Sequence, residues 1–403
     1  MRYYAVVKNH PQHSKKRTVI KMKNFTKILC VVLALVVALS AASCSLSQQY
    51  AYQKDDVELP IGEYIYYLYS AYNEAQTLAQ KSDLYDSETG KYDGKKSFLQ
   101  MEITDEDGET AVAEDWIINK AEEKLKNAVA ICTKYNDLGC TVDEAELDQA
   151  KDYIKSSYWD QNLGETLEGY GVSFDSFFEA EYTINVAKKN AAFKGEYGEG
   201  GPSEVSTPDL TDYFKDNYTS YKYFSANLFT SETAEQTDAS SETASASVPF
   251  TEEEVAKYME AFNGYVSDIN DGTSFEDVVE KYMSDFDVAE DPSTSNVEVI
   301  DEDTTDEILK TIKDMKDGQV MTMEIGDDDS SKQLYLVYRE PIEKEVDAYI
   351  NNAENSEQVL QKMKGDDFDK LLEDLAEELG VTPSDACKKY KPSMFEDTKK
   401  KRS

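Results

Sequence analysis

The chain has 403 residues, with 42 Lys and Arg against 81 Asp and Glu, a formal charge of −39 and a mean hydropathy of −0.63. Those values exclude an integral membrane protein and an ordinary nucleic-acid binder, since duplex binding draws on Lys and Arg that neutralise phosphates. Hydrophobic residues at 40% and aromatics at 11%, with 28 Tyr, still suffice for a packed core, and the length fits two or three domains. Partners are expected to be uncharged, basic or apolar.

Residues 28–39 are an unbroken apolar run, preceded by Lys21, Lys23 and Lys27 and followed by small residues that end at Ala41, Ala42, Ser43 and Cys44. A bilayer span needs about 20 apolar residues, so the pattern reads as a secretory signal peptide. Its exit resembles the lipobox of bacterial lipoproteins, with Ala41 where that family usually has Leu. The resemblance implies removal of residues 1–43, lipidation of Cys44, and a lipid-anchored protein on the extracytoplasmic face of the cell membrane. Cleavage elsewhere is the alternative, and Met22 rather than Met1 is a reasonable true start. The two histidines, His10 and His13, go with the leader. A mature chain without histidine excludes Ser-His-Asp and Cys-His catalysis and most transition-metal sites, so no metal and no cofactor is expected. Cys132, Cys140 and Cys387 are expected to be buried free thiols, a short Cys132–Cys140 disulfide being the alternative.

In chain order, residues 45–54 are polar and read as a tether. Residues 61–72 form a helix carrying Tyr64, Tyr66, Tyr67, Tyr69 and Tyr72, apolar on nearly every side, which buries itself among neighbours or covers a partner. Residues 83–109 read as a loop or small hairpin. A helix over 116–136 follows from the spacing of Ile117, Ala121, Leu125, Ala128 and Cys132, and Leu138-Gly139 stops it. Residues 141–144 open another helix, Ser173 caps one that holds Phe174, Phe177 and Phe178 and runs to about 193, and residues 205–208 cap one more through Phe214.

The pattern changes at Tyr221, where a strand covered on both faces begins. Residues 231–247, rich in Ser, Thr, Ala and Glu, read as a flexible loop. Helices at 252–269 and 274–282, a strand at 297–300, a helix at 307–315 and strands at 320–325 and 334–338 follow. That order defines an α+β fold rather than a doubly wound sheet. Two helical stretches, 346–364 and 368–379, precede a basic tail, and the second carries Leu371, Leu372, Leu375 and Leu379 on one stripe for docking on the first domain.

The order and spacing of segments 140–144, 171–177, 205–214, 272–285 and 316–320 resemble parvulin-type exported foldases, the group of the Gram-positive lipoprotein foldase and the periplasmic chaperone SurA. The resemblance covers most of residues 55–390. It implies a tether at 44–54, a helical SurA-like chaperone domain at 55–210, a small antiparallel parvulin-like domain at 211–345 with a disordered loop at 231–247, and C-terminal helices at 346–403 returning to the first domain. It also implies unfolded or newly exported proteins as clients, which the five tyrosines Tyr64 to Tyr72 are expected to cradle. The parvulin site maps onto Asn227, where the family has His, Asp285, where it has Asp or Cys, Ile308, where it has the Phe of the proline pocket, and Tyr335 in the last strand. Residues 291–295 replace its glycine-rich turn. Prolyl isomerisation needs no nucleophile, only a pocket favouring a twisted amide over a barrier of about 18–20 kcal/mol. With both histidines, the turn and the pocket aromatic lost together, the sheet domain is expected to be catalytically weak or inactive. An active prolyl isomerase and a ligand-binding or envelope-assembly lipoprotein are the alternatives.

Overall fold

The computed structural model describes residues 49–396 apart from 89, 93–96, 107 and 234–244. The leader and Cys44 lie outside the described residues. The expected tether is cut short at Tyr50, because Tyr50–Lys54 is a strand, β1, paired antiparallel with β2, Val57–Pro60. Ala51 is fully buried and Tyr52 nearly so, and Asp55 supplies the left-handed turn between the strands at φ +51°. Polar composition misled there, since two inward side chains are enough to fix a short strand.

Helix α1, Ile61–Gln80, starts directly after Pro60 and is covered on most of its circumference, with Tyr64, Ile65, Tyr67, Leu68, Ala71, Tyr72 and Ala75 all buried. Two hairpins follow, β3 (Tyr85–Asp86) with β4 (Lys91–Tyr92) and β5 (Glu102–Thr104) with β6 (Thr110–Val112). Helix α2, Ala113–Asp137, lays Ile117, Ala121, Leu125 and Ala128 along α1 and ends at Gly139, whose φ of +62° suits glycine. Asp143 caps α3, Glu144–Ile154, by accepting from the Ala145 and Glu146 amides. That helix runs through a π-helical stretch, Lys155–Leu163, into α4, Gly164–Gly169. Ser173 caps α5, Phe174–Phe178, which passes through a second π-helical stretch, Glu179–Lys188, into α6, Lys189–Tyr197. The π register leaves no separate mark in the apolar spacing, so the sequence reads both stretches simply as helix. Helix α7, Thr207–Asn217, leads into the sheet.

The sheet is antiparallel throughout, in the order β10 (Thr294–Glu298), β7 (Thr219–Asn227), β12 (Gln333–Glu340), β11 (Val320–Ile325). Alternation along β7 and β12 sends Phe224, Ala226, Leu228, Leu334 and Leu336 against α8 (Glu252–Asn270) and α9 (Phe275–Phe286). Tyr221, Tyr223, Tyr335 and Val337 face the other way, toward α10, Glu307–Asp314. The stretch expected to be a flexible loop begins and ends in a hairpin, β8 (Phe229–Thr233) with β9 (Ser245–Pro249). Backbone pairing needs few apolar side chains, so composition alone does not report it. The fold is thus α+β, as expected.

Beyond the sheet, the helical break falls at Asn351–Asn352 rather than near 365. Asn352 accepts from the Glu354 and Asn355 amides and so separates α11, Val346–Ile350, from α12, Ala353–Leu379, which runs straight through Gly365. Phe368, Leu372 and Ala376 of α12 join the core around α1 and α2, while Val359 packs with Leu210, Phe214, Ile342 and Ile350 between helices and sheet.

Gly164 sits against the buried indole of Trp159, and a Cβ there would lie 2.5 Å from Nε1 and 2.8 Å from Cδ1 and Cε2. Gly164→Ala is therefore expected to cost about 1–3 kcal/mol by overpacking, read as a lowered urea midpoint with altered Trp fluorescence; an unchanged midpoint would disprove the close contact.

Candidate functional site

Helical spacing leaves one side of α1 uncovered by core, and Tyr66, Tyr69, Ser70, Asn73 and Thr77 line it. With Trp116 and Lys120 of α2, Asp105 and Glu106 at the β5–β6 turn and Leu163, these residues wall an open cavity of about 740 Å³. Its aromatic walls are held in place from behind. Tyr66 meets Phe177 edge-on at 5.1 Å and donates its hydroxyl to Glu181 Oε2 at 2.6 Å. Tyr69 lies 5.7 Å from Tyr170 and 5.4 Å from Phe395. The Trp116 indole donates to Asp105 Oδ2 at 3.2 Å, and Lys124 donates to Glu74 at 2.8 Å. The result is a trough in which the rings of Tyr66, Tyr69 and Trp116 stand among the polar and charged groups of Glu74, Lys81, Asp105, Glu106 and Lys120.

Of the five tyrosines expected to cradle a client, the cavity takes Tyr66 and Tyr69. Tyr64 and Tyr67 are each 2% exposed and Tyr72 is 8% exposed, so those three are core residues and cannot touch a partner on the outside. A helix packed on most of its sides leaves only one narrow stripe free, and i, i+3 spacing puts Tyr66 and Tyr69 on it. Sequence reasoning did not place Trp116, Leu163 or Asp105 at this site, because their convergence depends on the hairpin and on the π-helical turn.

Behind the cavity, Glu63 is 2% exposed and its Oε2 has no hydrogen-bond partner among the described residues. Burial pushes its carboxyl from the ordinary 4.5 to about 8, the neighbouring Glu179 adds to this, and Lys188 opposes it. The Lys188 ammonium is already bound to Glu179 at 2.7 Å. Tyr67 and Cys132 share the pocket, the thiol pushed by burial to about 11. The cue in the sequence was a lone carboxylate beside Gly62 in an aromatic run, which went unused.

The four positions matched to a parvulin site do not converge. Asn227 and Tyr335 lie on one sheet face, tied to each other through Gln333, whose Nε2 donates to Asn227 Oδ1 at 2.7 Å and whose Oε1 accepts from the Tyr335 hydroxyl. Ile308 is half-buried on the same face among the α10 contacts. Asp285 lies on α9, across the sheet, and accepts from Tyr265 at 2.8 Å. Grouping Asp285 with the other three is therefore corrected: the helix that carries it covers the opposite face. Among the described residues no cluster of His, Cys, Asp or Glu is arranged to hold a metal, and no helix is long and apolar enough to cross a membrane. Cys132, Cys140 and Cys387 are free thiols, Cys140 half-buried rather than buried and donating to the Ala191 carbonyl at 3.3 Å.

No family model matches the chain, and no curated protein matches it. Among solved structures it is similar to the crystal structure of foldase protein PrsA from Streptococcus pneumoniae strain Canada MDR_19A, with 11% sequence identity and a TM-score of 0.32 over 71% of this chain and 97% of that one.

Because Glu63 holds its proton in the folded state up to about pH 8 and releases it near 4.5 when unfolded, its contribution is fully present below 4.5 and is lost as pH rises through that window, at up to about 1.4 kcal/mol per pH unit. Glu63→Gln should remove this slope, so that urea midpoints of the variant gain steadily on those of the native chain between about pH 5 and 8; a constant difference across that range would show that the carboxyl is not held neutral.

Proposed function

We propose that the chain is a lipid-anchored extracytoplasmic foldase of the chaperone kind, which holds unfolded or newly exported proteins in the aromatic cavity of its helical domain and does not isomerise prolyl bonds. The helical domain spans 55–210 with the returning helices after 346, the parvulin-like domain spans 211–345, and Cys44 carries the anchor. The observation that carries this reading is the cavity itself. Tyr66, Tyr69 and Trp116 offer large apolar contact in orientations fixed by Phe177, Tyr170 and Asp105, so binding costs little ordering of the site. Such contacts tolerate many sequences, which is what a holder of unfolded chains requires.

The sheet face supports the second half of the proposal. Where an isomerase needs a pocket that grips proline and stabilises a twisted amide, Gln333 engages both Asn227 Oδ1 and the Tyr335 hydroxyl, and Asp285 is across the sheet. The larger of the two apolar clusters of the sheet lies between β7, β12, α8 and α9, on the face away from these residues.

The test is exchange NMR on an unfolded, proline-containing client mixed with the chain from Ser45. Line broadening without faster cis/trans exchange is expected, and Tyr69→Ala with Trp116→Ala should weaken client binding about tenfold or more, by loss of about 1.4 kcal/mol or more. Accelerated exchange would make the chain a working isomerase, and binding indifferent to the double substitution would remove the cavity from the function.

A further inference from the structure

The core around α1 holds a polar pocket for which the client-holding reading has no use. Glu63 is 2% exposed with its Oε2 unpartnered among the described residues, and the hydroxyl of Tyr67, one turn along α1, is unpartnered as well. From α2 the Cys132 thiol faces Glu63, and from the second π-helical stretch the Glu179–Lys188 pair. Helix α5 meets α1 here through Ser176, against Gly62, and brings no charge to that contact. One ammonium thus stands beside two carboxyl groups. We propose that Glu63 and Glu179 compete for Lys188, so that ionisation of Glu63 draws Lys188 off Glu179 and loosens the cavity wall at Tyr66.

The ion pair holds the π-helical stretch by its two ends. Glu179 is the first residue of that stretch and Lys188 the last, and the 2.7 Å bond between them spans all 10 residues. Between the ends, Asn185 Nδ2 donates to the Ala180 carbonyl at 2.7 Å, and Glu181 Oε2 accepts from the Tyr66 hydroxyl at 2.6 Å. The π register is rare in proteins, so a stretch this long depends on the contacts that fix it. Release of Lys188 removes the contact that joins its ends, and Glu181, two residues from Glu179, moves with it. Glu63 sits on a helix enclosed on most sides and cannot follow, whereas the side chains of Glu179 and Lys188 are 37% and 23% exposed and are free to exchange partners.

Charge sets the direction of the exchange. With Glu63 neutral the charges of the three groups cancel, and with Glu63 ionised the pocket carries a surplus negative charge. An unpaired carboxylate costs far more when buried than when half in water, so the ammonium moves toward the more deeply buried partner. Burial, with Glu179 adding to it and Lys188 opposing, places the Glu63 carboxyl at about 8. The other groups in the pocket keep their charge state there: burial pushes the Cys132 thiol to about 11 and the Tyr67 hydroxyl well above its ordinary value, and the Lys188 ammonium, opposed by burial, is held above its ordinary value by Cys132, Glu179 and Glu63. The consequence for clients rests on the reading of the cavity as the client site, whereas the exchange of Lys188 does not.

The experiment uses the chain from Ser45, which keeps every described residue, and an unfolded, N-acetylated client without His or Cys, which has no group titrating near the Glu63 value. If only molecules with neutral Glu63 keep the wall in place, client affinity falls by up to about tenfold from about pH 7 to about pH 9, in proportion to the competent fraction. Hydrogen exchange without client, corrected for the intrinsic rate, is expected to show protection lost in residues 179–188 over the same range. Glu63→Gln, which stays neutral, should hold both quantities constant. Tyr66→Phe, which lacks the hydroxyl that Glu181 accepts, should bind weakly at both pH values while its exchange still responds. Equal protection at both values in the native chain, or a loss that persists in Glu63→Gln, would overturn the proposal, and the native chain alone decides this where Glu63→Gln fails to fold. Lost protection with unchanged client affinity would overturn the coupling to the cavity. Lost protection with no client bound at either pH would sustain the exchange of Lys188 and remove the client site instead.

Discussion

The structure depends on one helix being wanted from almost every direction. Helix α1 is met by α2 along one side, by the second π-helical stretch and α5 along another, and by the C-terminal segment through Phe395 along a third. A helix so enclosed must be aromatic or aliphatic nearly all round, which explains a run as rich in tyrosine as 61–72. Close approach also dictates Gly62, where a Cβ would stand 2.5 Å from the Ser176 hydroxyl. The stripe left over is narrow, and the cavity is built on it. Site and core are therefore two sides of one element, and changes that loosen the packing of Tyr64 or Tyr67 move Tyr66 and Tyr69 with them.

That enclosure also sets the state of a titratable group in the core. Glu63 lies between α1, Cys132 of α2 and the Glu179–Lys188 pair, all in a pocket that leaves one carboxyl oxygen unpartnered. A buried carboxyl remains neutral when ionisation costs more than the nearest cation returns, and here that cation is already engaged. The carboxyl sits one turn from Tyr66, whose hydroxyl binds Glu181 on the same π-helical stretch that carries Glu179.

The α+β order, the start of α1, the stop of α2 and the caps near Asp143, Ser173, Ser206 and Ser274 were legible, because capping residues and apolar spacing are local signals, whereas the run of α1 on to Gln80 and the start of α2 at Ala113 were not. What sequence did not reveal is non-local. Strand β1 owes its existence to β2 and Ser384, and the β8–β9 hairpin to backbone pairing in a stretch poor in apolar residues. Matching single positions to the family pattern groups Asn227 and Tyr335, which do share a face, but groups Asp285 with them, since nothing in its spacing says which side of the sheet its helix covers. The tyrosines show the same limit: composition announces five rings, and only the helix's surroundings decide that two of them meet solvent.

The sheet domain is packed on both of its faces. Its stability comes from Phe224, Phe262, Tyr265, Val278 and Leu336 on one side, and each of these is buried whatever occupies the other. On the opposite face Tyr221 and Val337 are buried beneath α10 with its Ile312, and on that same face Gln333 bridges Asn227 and Tyr335. The sheet is joined to the helical part through Leu210, Phe214, Ile342 and Val359, so it braces the returning helix α12 against α1 and α2. The consequence is mechanical: through Val359 the sheet domain packs on α12, whose Phe368 and Leu372 join the core around α1 and α2.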